Sequence, residues 1–183
     1  MSEAWEYDDR NCRLYLTGES YVARHDEQFA LAAENPWPAV ASECGEEGVT
    51  YSYYEGDFPT TGKMLRKGKL LEKGTMPQIE IPADSLKDHF GYDFKGLFRA
   101  ESTGKYMFIV KSDDGAVLYV DGRKVMDMDG SHSESLRKTV VPLAVGYHDI
   151  RLLYFEDCED QILEVTVRDS AFEPKPLKLY LPE

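Results

Sequence analysis

The reading of the fold turns on Tyr106-Met-Phe-Ile-Val-Lys-Ser-Asp-Asp-Gly-Ala-Val-Leu-Tyr-Val-Asp-Gly122. Two apolar, β-rich runs flank Ser112-Asp-Asp-Gly115, and a second turn, Asp121-Gly122, follows at once. Asp-Gly between alternating hydrophobics is a strong hairpin signal, because Gly accepts the positive φ of a type I′ turn. Two strands and a return are therefore expected on either side of Asp113-Asp114. That carboxylate pair is the unusual feature. Adjacent like charges repel and raise one pKa unless a cation neutralises them. The plain alternative is a solvated turn, since Asp and Gly are ordinary turn residues.

The same pattern extends outward. Gly104–Lys111, Ala116–Val120, Arg123–Met128, Thr139–Leu143, Tyr147–Phe155 and Ile162–Arg168 all read as strands. Leu163, Val165 and Val167 alternate with Glu164, Thr166 and Arg168, so one face points in and the other out. Turn signals at short spacing predict an all-β chain, an antiparallel sandwich or barrel. Leu118, Val120, Leu152, Leu163, Val165 and Val167 are the expected core. Upstream, Val49–Tyr54 opens the domain. Gly56–Thr75 carries the one basic island, Lys63, Arg66, Lys67, Lys69 and Lys73, which reads first as a solvated face. Met76–Pro82 is expected to be extended between prolines, and Asp84–His89 one helical turn capped by Asp84.

Residues 1–45 read as a separate N-terminal extension. Within it, Arg13–Thr17 and Tyr21-Val22 suggest a short hairpin around Gly18, and His25–Glu34 favours helix until Asn35-Pro-Trp-Pro38. Residues 46–168 form the β-domain, and 169–183 a tail or edge strand, Leu177–Leu181. Of the three cysteines, Cys12 and Cys44 form the pair that could staple the extension, a matter only their separation decides.

At 183 residues, 42% hydrophobic and 12% aromatic, the chain can bury a core without staples. A net charge of −13 argues against a nucleic-acid surface and against adsorption to anionic lipid. It suits divalent cations and neutral ligands such as sugars. No stretch has the length of a membrane-spanning helix, so membrane insertion is not expected. The first residues, Met1-Ser-Glu-Ala-Trp-Glu-Tyr-Asp-Asp9, have no signal-peptide pattern. There is no Gly-x-Ser-x-Gly elbow, no His-Glu-x-x-His and no phosphate-binding glycine loop. His132, in Gly130-Ser-His-Ser-Glu134, reads as a hydrogen-bonded turn residue. The chain is read as non-enzymatic.

Several ordered motifs carry a resemblance. Phe94-Lys-Gly-Leu-Phe-Arg-Ala100, Gly104-Lys-Tyr-Met-Phe108 and Ser112-Asp-Asp-Gly-Ala-Val-Leu-Tyr-Val-Asp-Gly122 resemble the protective-antigen fourteen-kilodalton domain family. Val125-Met-Asp-Met-Asp-Gly-Ser-His132, Pro142–His148, Ile150–Glu156 and, upstream, Gly48–Gly56 continue the match. The resemblance implies a barrel-like β-sandwich. In the family's lectin-like branch it further implies an Asp-Asp pair joined by a cis peptide, holding a calcium ion that touches sugar hydroxyls. The partner loop is here Glu156-Asp-Cys-Glu-Asp-Gln161, which departs from the Asn-containing loops of lectin members. The implied metal ligands are Asp113, Asp114, Asp157 and Asp160. The implied ligand-binding residues are Asp113, Asp114, Glu159 and Gln161. The function so implied is a calcium-dependent carbohydrate-binding module, part of a larger exported glycosidase or adhesin-like protein, extracellular or at a cell surface. The alternative is a metal-free structural or protein-interaction module of the same fold.

Overall fold

The computed structural model describes residues 5–8, 13–16, 35–41, 43–158, 161–169 and 174–183. Two antiparallel sheets enclose the core. The larger contains β3 (Val49–Glu55), β4 (Lys69–Met76), β5 (Phe90–Ala100), β7 (Ala116–Val120), β8 (Arg123–Met128) and β10 (Gly146–Glu156). Their order is β4-β3-β5-β10-β7-β8, and β13 (Leu179–Tyr180) pairs with β5 beyond the end of β3. The smaller runs β12 (Lys175–Pro176), β11 (Leu163–Arg168), β6 (Gly104–Ser112), β9 (Ser135–Leu143). A separate hairpin joins β1 (Trp5–Asp8) to β2 (Arg13–Leu16). Its first strand thus precedes Arg13–Leu16, whereas the sequence suggested a partner after it. Tyr21-Val22, the His25–Glu34 segment and Cys12 lie outside the described residues.

Strand β5 explains the architecture. Phe90, Tyr92, Phe94, Phe98 and Ala100 face the main core with Phe108, Val110, Leu118, Val120, Leu143 and Leu152 from both sheets. Lys95 and Arg99 are exposed, but the other alternate residues of β5, Gly91, Asp93 and Leu97, are buried too, which a one-faced strand would not show. Their cover on that outer side includes α1 (Thr61–Lys67), a helix the sequence reading did not find. Thr60 caps it, its hydroxyl accepting from Lys63 N at 3.2 Å. Met64 then packs with Phe58, Val117, Leu153 and Phe155 in a second, smaller apolar cluster. Of the expected core, Leu118, Val120 and Leu152 are fully buried. Leu163, Val165 and Val167 are half-buried against it, because β11 lies next to the short edge strand β12.

Two sequence expectations are corrected. Residues 77–89 contain no strand or helix; Leu86 N instead donates to the Tyr53 hydroxyl at 2.7 Å and Ser85 Oγ lies 2.8 Å from Tyr92 Oη. More important, Ser112–Gly115 is no hairpin. β6 belongs to the smaller sheet and β7 to the larger, so this segment crosses between layers. The real hairpin is the next one. Asp121 and Gly122 both have positive φ, 49° and 73°, as a two-residue I′ turn requires, and β7 pairs with β8 across it.

The tail reaches both layers. β12 pairs with β11 of the smaller sheet and β13 with β5 of the larger. At the other terminus, Trp37 bridges to Leu143, Ala41 to Tyr147 and Glu47 to Tyr180. Cys44 is a free thiol among the described residues, and Cys12, its expected partner, lies outside them.

His148 locks the end of the sandwich remote from Asp113. It is fully buried, with Nδ1 2.7 Å from Asp121 Oδ2 and Nε2 2.9 Å from the Ala144 carbonyl. Both partners are acceptors, so both ring nitrogens carry protons. Burial works against that charge, but the Asp121 bond, the Ala144 carbonyl and the acidic neighbours outweigh it and the pKa is raised. A raised pKa gives stability that is complete below the unfolded value and lost as pH rises through the folded one. We therefore expect His148→Asn to cost about 2 kcal/mol at pH 6 and less at pH 9. Paired denaturation curves at the two pH values check this; a pH-independent cost would refute the imidazolium.

Candidate functional site

The site lies where strand ends from both sheets meet. The inter-sheet crossing Ser112–Gly115, the β8–β9 loop around Gly130–His132 and the chain leaving β10 at Asp157 converge there. Asp114 holds them together. It is 4% exposed and has a left-handed backbone, φ 56°, which Asp tolerates better than most residues. Its Oδ1 accepts from His132 N at 3.0 Å, and its Oδ2 from Asp157 N at 2.7 Å and Cys158 N at 3.3 Å. Its own N–H donates to the His132 carbonyl at 3.0 Å, and the Ser112 hydroxyl donates to its carbonyl at 2.9 Å. Asp113 N donates to Ile162 O at 3.0 Å, and the Asp113 residue is half-buried at the mouth. The Asp113–Asp114 peptide is trans, unlike the cis bond that the resemblance implied.

Glu156 is the residue that sequence reasoning missed as a site member. It is fully buried at the last position of β10. Oε2 accepts from the Tyr154 hydroxyl at 2.7 Å, while Oε1 has no hydrogen-bond partner. The Asp114 carboxyl is near enough to act on it directly. Burial, followed by the charges of Asp114 and Asp113, pushes Glu156 up to about 8, against the pull of the Tyr154 hydroxyl. A buried carboxylate pair needs a shared proton or a cation between its members. The sequence signal was present, Glu156 heading the partner loop, but strand alternation could not tell which way it points.

The other named residues separate. Asp157 stays at the site, its Oδ2 accepting from the Ser131 hydroxyl at 2.8 Å. Gln161 is exposed, and its amide donates to the Leu86 and Lys87 carbonyls, so it ties down the 84–89 loop. Glu159 and Asp160 lie outside the described residues. His132 places Nδ1 and Nε2 2.9 Å from the Ser133 and Met128 carbonyls, which makes it a hydrogen-bonded turn residue. Asp129 anchors the same loop to the first residue of α1, accepting from Thr61 N at 2.7 Å and from its hydroxyl at 3.1 Å. The loops around the acidic pair are thus fixed from several sides.

This fold and this arrangement of loops have a match. The PA14 domain profile covers residues 45–170, more than half of the chain, and the chain belongs to the PA14 domain family. No curated protein sequence matches it. Among solved structures, an anti-sigma factor domain-containing protein from Clostridium clariflavum is similar at a TM-score of 0.60 and 21% identity. The match covers 81% of this chain and 52% of that one, so the chain spans about half the length of that relative. A PA14 sugar-binding domain from an RTX adhesin matches at 0.60 and 14% identity, over 76% of this chain and all of that one. The epithelial adhesin 9 A domain from Candida glabrata, in complex with Galb1-3GlcNAc, matches at 0.59 and 15% identity, over 79% and 97%. At these identities the likeness is one of fold. Among the described residues no helix is long and apolar enough to cross a membrane.

Proposed function

We propose that the chain is a non-catalytic carbohydrate-binding module that holds its sugar through a calcium ion at the Asp113–Asp114 turn. The observation that carries this reading is the orphaned Oε1 of the fully buried Glu156, a carboxyl that the charges of Asp114 and Asp113 both act on. Calcium takes six to eight oxygens from flexible carboxylates and carbonyls. Asp113, Asp114 and Glu156 would supply a charged half-shell, and Asp157 with the Glu159–Gln161 segment the rest. The ion would supply positions for two neighbouring sugar hydroxyls. The protein's own part is to fix the carboxylates before either arrives, which the three N–H donors to Asp114 do. A sugar-binding domain and a sugar-complexed adhesin domain of the same fold support the reading. So does the family for placement in a larger exported protein of glycosidase or adhesin type, at a cell surface or outside the cell. A lone site of this exposure buries little ligand surface, so affinity for one sugar is expected to be weak and raised by repetition.

One observation favours the metal-free structural module. Both oxygens of Asp114 already accept backbone N–H groups, so the loops are knitted without an ion. The same fact sets the choice of variant. Asp114→Asn would turn an amide donor toward those N–H groups and disturb the loops, whereas Asp113 carries no such burden. Asp113→Asn is expected to abolish calcium heats in calorimetry and glycan-array binding with little change in melting temperature. No calcium heat and no melting shift at millimolar calcium in the wild type would leave the structural module as the reading.

A further inference from the structure

We infer that Asp57, His89 and Asp157 form a second metal site, for a first-row divalent ion such as zinc, beside the carboxylate pair. The register of the sheet assembles it. Glu55, Phe90 and Glu156 are paired in one row across β3, β5 and β10. One step beyond that row, Gly56 N donates to the His89 carbonyl at 2.8 Å, and Asp157 leaves β10. Three adjacent strands therefore each deliver a ligand at the same end. One ligand atom from each residue lies within 4.8 Å of the other two. His89 Nδ1 stands 3.6 Å from Asp157 Oδ1. Bonds of about 2.0–2.1 Å at a tetrahedral ion put ligand atoms roughly 3.3 Å apart, so a small side-chain rotation closes the set.

Chemistry argues for an ion over a bare His–Asp pair. Among the described residues, Asp57 has no hydrogen-bond or ion-pair partner, yet its carboxylate faces that of Asp157. A divalent cation held by all three side chains would offset both carboxylates. Asp157 is already oriented as a ligand, with Oδ2 held by the Ser131 hydroxyl and Oδ1 turned to His89. A nitrogen donor with two oxygens suits zinc, whereas calcium takes oxygen alone. Three protein ligands leave a fourth position for water. The site does not depend on the calcium reading, although Asp157 would be shared with it. Binding there would fix the strand exit whose N–H groups hold Asp114.

The test is calorimetric titration of zinc chloride into tag-free, calcium-free protein, with cobalt absorption as a second readout. His89→Asn keeps a residue that tolerates the left-handed backbone, φ 57°, and Asp57→Asn removes no hydrogen bond. Each is expected to weaken zinc binding roughly tenfold or more. Asp113→Asn should leave it unchanged, and both zinc-site variants should still respond to calcium as the wild type does. No zinc heat in the wild type would overturn the inference. So would unaltered zinc affinity in Asp57→Asn, which places the ion elsewhere whatever calcium does.

Discussion

Gly115→Ala is expected to lower the melting temperature by about 10 °C, the equivalent of roughly 3 kcal/mol for a chain of this size. An added Cβ would lie 2.2 Å from Cε1 of Phe155 and within 2.9 Å of two more ring atoms. The ring cannot withdraw easily. Phe155 is fully buried among Phe58, Met64, Val117 and Leu153, and its N–H donates to the Gly115 carbonyl at 3.0 Å. That hydrogen bond pins the two backbones together, so relief must come from displacing the crossing segment. Gly122→Ala is the control. Its Cβ would meet nothing within 4 Å, and only the left-handed φ of 73° opposes it. About 1 kcal/mol is expected there. Thermal denaturation of both variants checks the order, and a larger loss for Gly122→Ala would show that contact with the Phe155 ring is not what requires Gly115.

That contrast also shows what the sequence could convey. Both Asp-Gly pairs looked like hairpin turns, and alternation correctly marked the strands around them. At Asp121-Gly122 the local rule holds because β7 and β8 are sheet neighbours. At Asp114-Gly115 the positive φ falls on the aspartate, and the glycine is required by the ring of Phe155, far along the chain and one strand pairing away. Periodicity reports which face a residue lies on but not which sheet its strand joins. The same limit hid α1, whose seven residues sit in a basic stretch and bury chiefly Thr61 and Met64. The acidic pair was legible as a charge anomaly. The inward turn of Glu156 was not, because β10 is buried on both faces over Leu152–Glu156 and alternation there carries no information. His89 and Asp57 were invisible as ligands for a related reason: only the register of three strands brings them to Asp157.

In metal-free protein, Glu156→Gln is expected to be more stable than the wild type at pH 8–9 by several kcal/mol and nearly equal to it at pH 4. The folded-state pKa of Glu156 is raised from 4.5 to about 8, chiefly by burial and then by Asp114 and Asp113. A raised carboxyl pKa means that the folded protein holds a proton the unfolded chain releases. Stability is therefore complete below the unfolded value, falls as pH climbs from about 4.5 to about 8, and levels off beyond. Gln has the shape of the protonated acid and an amide donor for Asp114, so the variant lacks this decline. His148 weakens the fold with rising pH in both proteins, and the difference between the two curves removes its contribution. Urea denaturation across pH 4–9 with a chelator present measures that difference directly. Calcium added at pH 8 should then recover the lost stability in the wild type by neutralising the ionised pair, and do little for Glu156→Gln. Parallel curves for the two proteins would show that Glu156 carries no shared proton and that its contact with Asp114 is not the centre of the site.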